Sequence, residues 1–283
     1  MITTDFFTPV VDDPYDYGAI AAANSLSDVY AMGGVPVLAL NVACLPASLP
    51  IDLTQSIIRG AAEKAKEAGV VVAGGHSVVD DEPKFGLVVI GFVEQERMLT
   101  KGGANAGDHL FLTKPLGIGV STTALKRDLA SQEDVQEITD WMKQLNEPAA
   151  HVAHDLRLRS ATDITGFGLL GHASEMAAAS GVGFDFNFNQ VPFVSCARKF
   201  ADAFSFPGGS INNKLYFSER VLFDPQLSEI DQLLLFDSQT SGGLLLSVPP
   251  EKLGEFHSRA ETLQVAVWEI GKADSKPGLR VHL

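Results

Sequence analysis

The sequence predicts a mixed α/β (α+β) protein built in two parts. Three observations carry that expectation. Short β-branched and aromatic runs alternate with helical stretches along the chain. Apolar residues make up 46% of the 283 residues and charged residues 20%, the balance of a chain that folds around its own core. A polar stretch with three glycines, Glu94 to Asp108, interrupts the alternation and divides residues 1–98 from residues 99–283.

The elements follow in order. ITTDFF, residues 2–7, is β-branched and aromatic and reads as a strand. A strand this near the first residue suggests a domain that starts further upstream. Tyr17 to Met32 is alanine-rich and reads as a helix, with Gly33 and Gly34 in the place of a C-terminal cap. Val35 to Ala43 is an apolar strand, Ile51 to Glu67 a helix, and Val70 to Ala73 a short buried strand. Gly74-Gly75-His76-Ser77 reads as the turn after it, and Phe85 to Val93 as the next strand. In the second part, His109 to Thr113 is a strand, Gly117 to Leu129 a loop entering a helix, and Glu133 to Leu145 a helix. Ala161 to Gly168 reads as a loop before a helix over Leu169 to Ala179, ended by Gly181. Gln239 to Gly243 is a loop that leads into the strand Leu244 to Val248.

Charge and cysteine usage exclude several classes. The net charge is −14, so a basic footprint for nucleic acid is missing. Cys44 and Cys196 lie far apart and form no CxxC pair, which argues against a disulfide framework or a zinc–thiolate site and fits a reducing cytoplasm. No basic and apolar leader follows Met1, and no run is long enough to predict a membrane span. GxxxxGK[ST] and GxGxxG are absent, so neither a P-loop nor a Rossmann nucleotide site is expected. His151 and His154 could share a helix face as metal ligands. A polar helix surface beside Asp155 explains them more simply, because no third ligand is near in sequence.

Four constellations carry possible chemistry. Asp28 sits in the alanine-rich helix, four residues after Asn24 and so on the same face, with Asp5 in the preceding strand. A carboxylate in an apolar helix is costly to bury unless it is paired or bound to a cation; simple exposure is the alternative. Asp163, in TDITGFG, could hold a cation beside a helix start that offers free N–H groups to an anion, or could merely cap that helix. Gly74 to Ser77 could bring backbone, His76 and Ser77 to a phosphate, or could be a tight turn. Gln239 to Gly243 could order a ligand or a neighbouring segment. Separated carboxylates and glycine loops without a lysine-centred cradle fit a polyphosphate bridged by magnesium.

The strings TTDFF, SDVYAMGG, VVAGGHS, LTKPLGIG, TDITGFGLLGH and QTSGGLLL stand here in the order found in selenophosphate synthetases (selenide, water dikinases). The chain resembles that family from Ile2 to at least Val248. The resemblance implies a two-domain aminoimidazole ribonucleotide synthetase-like fold, its N-terminal half forming a dimeric β-barrel and its C-terminal half α/β. It implies a homodimer that takes ATP, selenide and water to selenophosphate, AMP and phosphate with Mg2+. Carried over motif by motif, Asp28 and Asp163 match metal ligands and Asp5 an ATP contact. Gly75, His76 and Ser77 match a nucleotide contact supplied by the neighbouring subunit, and Lys114 a residue near phosphate. The family's glycine-rich Cys/Lys segment and a DDAA-like metal motif have no counterpart in these residues, so no catalytic residue is assigned and impaired turnover is expected. Ser238 stands where the family commonly shows proline. The alternatives are a sister kinase or synthetase of the same fold, such as a thiamine-monophosphate kinase or a hydrogenase-maturation protein, and a non-catalytic nucleotide-binding dimer module.

Overall fold

The computed structural model describes every residue from Met1 to Leu283. Its first part runs β1 (Ile2–Phe7), α1 (Pro14–Ala31), β2 (Val35–Leu45), α2 (Ile51–Glu67), β3 (Val71–Val79), β4 (Lys84–Phe92). These strands form one sheet in the order β1-β4-β2-β3, antiparallel except for the β2–β3 pair. The second part runs β5 (His109–Leu112), α3 (Ile118–Leu125), α4 (Gln132–Lys143), α5 (Glu147–Asp155), β6 (Ala161–Asp163), α6 (Gly168–Ser180), β7 (Gly183–Asn187). It continues through α7 (Ala197–Asp202), α8 (Gly208–Phe217), β8 (Val221–Phe223), α9 (Glu229–Leu235), β9 (Leu244–Val248), α10 (Leu253–Thr262), β10 (Trp268–Asp274) and β11 (Gly278–His282). Its strands form a seven-stranded mixed sheet, β6-β9-β5-β10-β7-β11-β8.

α1 is the centre of the molecule. Its N-terminus is fixed by Asp13, whose side chain accepts from the Asp16 N–H at 2.8 Å, and by Pro14 in the first turn. Nearly every residue from Tyr17 to Ala31 is buried. Such a helix has no solvent stripe, because it lies between the first sheet, α2 and the second part of the chain. Small side chains make that possible. A Cβ on Gly18 would lie 1.9 Å from the carbonyl oxygen of Ile57 in α2, and one on Gly60 would lie 2.0 Å from that of Tyr15 in α1. The two helices therefore touch backbone to backbone at a reciprocal pair of glycines.

One face of the first sheet packs on α1 through Phe85, Leu87 and Val89, all fully buried. The opposite face is apolar and bare, with Ile2, Phe6, Leu40, Val71, Val78 and Phe92 exposed.

Three expectations are corrected. The strand expected to be short and buried over Val70 to Ala73 is the 9-residue β3, Val71–Val79, and it is largely exposed. Gly74 to Ser77 is not a turn but lies inside β3, paired in parallel with Asn41 to Ala43 of β2 across a register shift. Backbone hydrogen bonding to β2 carries the strand through the two glycines. Ala161 to Asp163 is not loop but the edge strand β6, held antiparallel to Leu244–Leu246 of β9. Three residues are too short to show a period of two.

Replacing Gly18 with Ala should force α1 and α2 apart and cost about 1–3 kcal/mol, the usual range for overpacking. Chemical denaturation of the variant against the parent chain measures this.

Candidate functional site

A cleft of about 530 Å³ opens where β1, the C-terminal half of α1, residues 99–101 and the β6–α6 connection meet. Thr3 and Asp5 are two apart in β1, so they point to the same side of the sheet. That side faces Asn24 and Asp28, which are one turn apart on α1. Thr3 Oγ1 donates to Asp28, and Asn24 Nδ2 donates to Asp5. Asp163 enters from the end of β6, and all three carboxylates line the cleft half-buried. The structure thus brings together Asp5, Asp28 and Asp163 from separate stretches of sequence.

Their electrostatics are those of an acidic site that Lys101 compensates only in part. Burial pushes the Asp5 and Asp28 carboxyls above the usual carboxylate range, and the charge of Asp163 pushes both further. The hydrogen bonds from Asn24 and Thr3 act the other way. Asp163 accepts no side-chain hydrogen bond from the chain; Thr162 Oγ1 reaches only its main-chain carbonyl, at 2.9 Å. Lys101, at the rim, is tied to Glu175. No three acidic, histidine or cysteine side chains converge on one point, so the protein does not complete a coordination shell by itself. One or two carboxylates, with the remaining positions left to phosphate oxygens and water, is the arrangement magnesium favours. The residues present fit that ion.

The cleft's walls are fixed by the loop 239–243. The Ser241 N–H donates to Asn24 Oδ1 at 2.8 Å, which orients the Asn24 amide toward Asp5. Asn146 Nδ2 donates to the Gly242 carbonyl and to Ser27 Oγ, each at 2.8 Å. The Gly242 N–H reaches Thr165 Oγ1 at 3.1 Å. Lys114 lies on the far side of this loop rather than in the cleft. Its Nζ donates to the carbonyls of Gln144 at 2.7 Å and Ser241 at 2.8 Å. Burial pushes its pKa down to about 7, and a neutral amine still has two hydrogens for two carbonyls. Lys114 therefore does not approach phosphate here, contrary to the expectation from its motif. The N-terminus of α3 is closed in the same way: Asp237 accepts from the Gly119 N–H at 2.9 Å and the Val120 N–H at 3.2 Å.

Gly75, His76 and Ser77 lie on the edge strand β3, exposed and outside this cleft. Neither cysteine enters it. Cys44 is half-buried on β2, and Cys196 is buried with Sγ 3.3 Å from Ser121 Oγ. His151 and His154 border a different depression, with His154 Nε2 3.3 Å from an Arg97 nitrogen. Sequence reasoning missed Thr3, Lys101, Thr165 and His172 as cleft residues. The spacing of Thr3 and Asp5 was the one signal that could have added Thr3.

Comparisons with known proteins identify the family and the fold. Models of AIR synthase related proteins match twice, the N-terminal domain over residues 1–93 and the C-terminal domain over residues 105–283. Solved structures share the fold at low identity. Thiamine-monophosphate kinase from Stenotrophomonas maltophilia aligns with TM-score 0.75 and 18% identity, over 99% of this chain and 84% of that one. The hydrogenase maturation protein HypE of E. coli aligns with TM-score 0.76 and 18% identity, over 99% and 81%. A structure of HypE in complex with ATP aligns with TM-score 0.75 and 16% identity, over 97% and 77%. The protein is an AIR synthase related protein. Selenide, water dikinase of Caldanaerobacter subterraneus subsp. tengcongensis is 47% identical over 99% of this chain and 81% of its own length. That of Myxococcus xanthus is 43% identical over 99% and 80%. The chain belongs to the selenide, water dikinase family, and so to the phosphotransferases.

Protons held by Asp5 and Asp28 above the ordinary carboxylate range mean that the folded state binds more protons than the unfolded one in that window. Stability therefore falls as pH rises through it and stays lower at neutral pH. Asp163→Asn removes a charge that contributes to both shifts and breaks no side-chain hydrogen bond. In metal-free buffer at pH 7 it should raise Tm by about 2–4 °C, the change that about 1 kcal/mol gives in a protein of this size. The gain should shrink as pH is lowered toward about 4; a thermal-melt series across pH checks it.

Proposed function

We propose that the cleft binds a magnesium-bridged ATP and that the protein serves selenophosphate synthesis, taking ATP, selenide and water to selenophosphate, AMP and phosphate. The observation that supports this best is the meeting of Asp5, Asp28 and Asp163 in one cleft, where Lys101 is the one protein cation and is itself paired with Glu175. Asp28 and Asp163 would hold Mg2+, which when bound supplies charge neutralisation for the triphosphate. Asp5, oriented by Asn24, contacts the nucleotide. Lys101 stands at the rim, where it can offset phosphate charge that the carboxylates do not. Family membership supports the selenide reaction, and the ATP-bound HypE structure supports nucleotide binding on this fold.

The bare face of the first sheet supports a homodimer. An apolar face this size on a four-stranded sheet lacks its second layer, and a second copy of the same sheet would close it into a barrel. In that arrangement Gly75, His76 and Ser77 on β3 become available to the partner's nucleotide. Domains 1–98 and 99–283 then divide the work, the first pairing the subunits and the second closing the cleft through Asp163.

Mg-ATP at about a hundred times its Kd should stabilise the chain by about 2.7 kcal/mol. Asp28→Asn should abolish that shift and remove whatever selenide-dependent AMP formation the chain shows. ADP together with a phosphorylated small molecule, instead of AMP, would sink the selenide reading and point to a sister kinase. Leu40→Glu, on the bare sheet face, should convert a dimer to a monomer in sedimentation, because a charge buried in an apolar interface has no partner.

A further inference from the structure

The cleft meets a second depression at Thr100, a residue that lines both. This groove, about 460 Å³, lies between residues 96–103 and residues 157–159. Arg97, Arg157 and Arg159 line it, with Glu96 as its acidic residue. Gly102 and Gly103 leave part of the wall without side chains.

Two of the three arginines here differ from the others in the chain. With 35 acidic residues against 21 basic ones, a surface arginine has carboxylates within reach. Arg97, Arg198, Arg259 and Arg280 each pair with one. Arg127 donates to the Phe204 carbonyl, and Arg59 and Arg220 lie over Tyr15 and Tyr216. That leaves Arg157 and Arg159 with no ion pair, no side-chain hydrogen bond and no aromatic partner, and both line this groove. They flank buried Leu158, on a segment held in place at both ends. Lys252 Nζ donates to the Leu156 carbonyl at 2.7 Å, and the Thr100 N–H donates to the Arg159 carbonyl at 3.2 Å.

We propose that this groove is a second anion site, distinct from the nucleotide cleft, that takes a phosphate-class oxyanion. Free guanidinium forks match tetrahedral oxyanions geometrically, and two such forks on a fixed segment supply several charge-assisted hydrogen bonds. A nucleic acid would need a longer basic track, and the net charge of −14 repels it. Through Thr100 the site is placed to receive phosphate leaving the cleft, a role that rests on the proposed reaction, whereas anion binding itself does not.

The test is calorimetric titration of the full chain with inorganic phosphate, with metal-free ATP, and with a short single-stranded RNA. It compares the parent chain, the Arg157→Ala/Arg159→Ala double variant and the Arg157→Lys/Arg159→Lys double variant. Mg-ATP thermal shifts are read in parallel. Phosphate affinity should fall at least about tenfold in the alanine variant and less in the lysine variant, with the Mg-ATP shift unchanged. Equal phosphate binding by the parent and alanine variants overturns the proposal, as does a parent chain that does not bind phosphate. A loss confined to ATP overturns it too, because the arginines would then belong to the nucleotide's own phosphates. A loss confined to RNA overturns it in favour of a nucleic-acid surface. A parent chain that binds phosphate but shows no Mg-ATP shift leaves the groove standing and removes the nucleotide reading.

Discussion

Buried polar groups must be paired, and in this protein that requirement fixes the functional cleft. The loop 239–243 carries main-chain groups into the interior between the two sheets, where water cannot satisfy them. Asn24, Asn146, Thr165 and Lys114 supply the partners, from α1, from the turn before α5, from the β6–α6 connection and from the end of β5. Each partner comes from a different element, so the loop sets their relative positions. Asn24 passes that constraint to Asp5, and the β6–α6 connection passes it to Asp163. Asp163 therefore holds its place through hydrogen bonds made by its neighbours, while Asp5 and Asp28 also accept directly from Asn24 and Thr3.

The same cleft is electrostatically unfavourable when empty. Three half-buried carboxylates share it, and the positive charge at its rim is engaged by Glu175. Holding three carboxylates together in this way costs some stability, and perturbed carboxyls in clefts often mark functional sites. The surrounding structure tolerates this because α1 is packed along almost its whole length and cannot turn Asp28 away from the cleft. Close backbone contact with α2 at Gly18 and Gly60 holds the helix in that position.

Charge is also divided across the surface. A chain with a net charge of −14 keeps two of its arginines unpaired and places both beside the opening of an acidic cleft. Thr100 lines both depressions, so the acidic cleft and the arginine-lined groove adjoin.

The sequence by itself determined the mixed α/β class, most of the elements up to residue 181, and the identities of Asp5, Asp28 and Asp163 as candidates. Helix and strand periods, caps and the ordered motifs are local, so they can be read without coordinates. It did not determine that Gly74 to Ser77 is a strand, because pairing with β2 overrides the turn preference of two glycines. Nor did it show β6, which three residues cannot announce and which exists only because β9 lies alongside. Lys114 is the clearest case. Its motif suggested phosphate, yet two buried carbonyls from Gln144 and Ser241 claim its amine. Only the tertiary structure could decide that, because the two carbonyls come from segments 30 and 127 residues away along the chain, and pairing and burial are properties of the assembled interior.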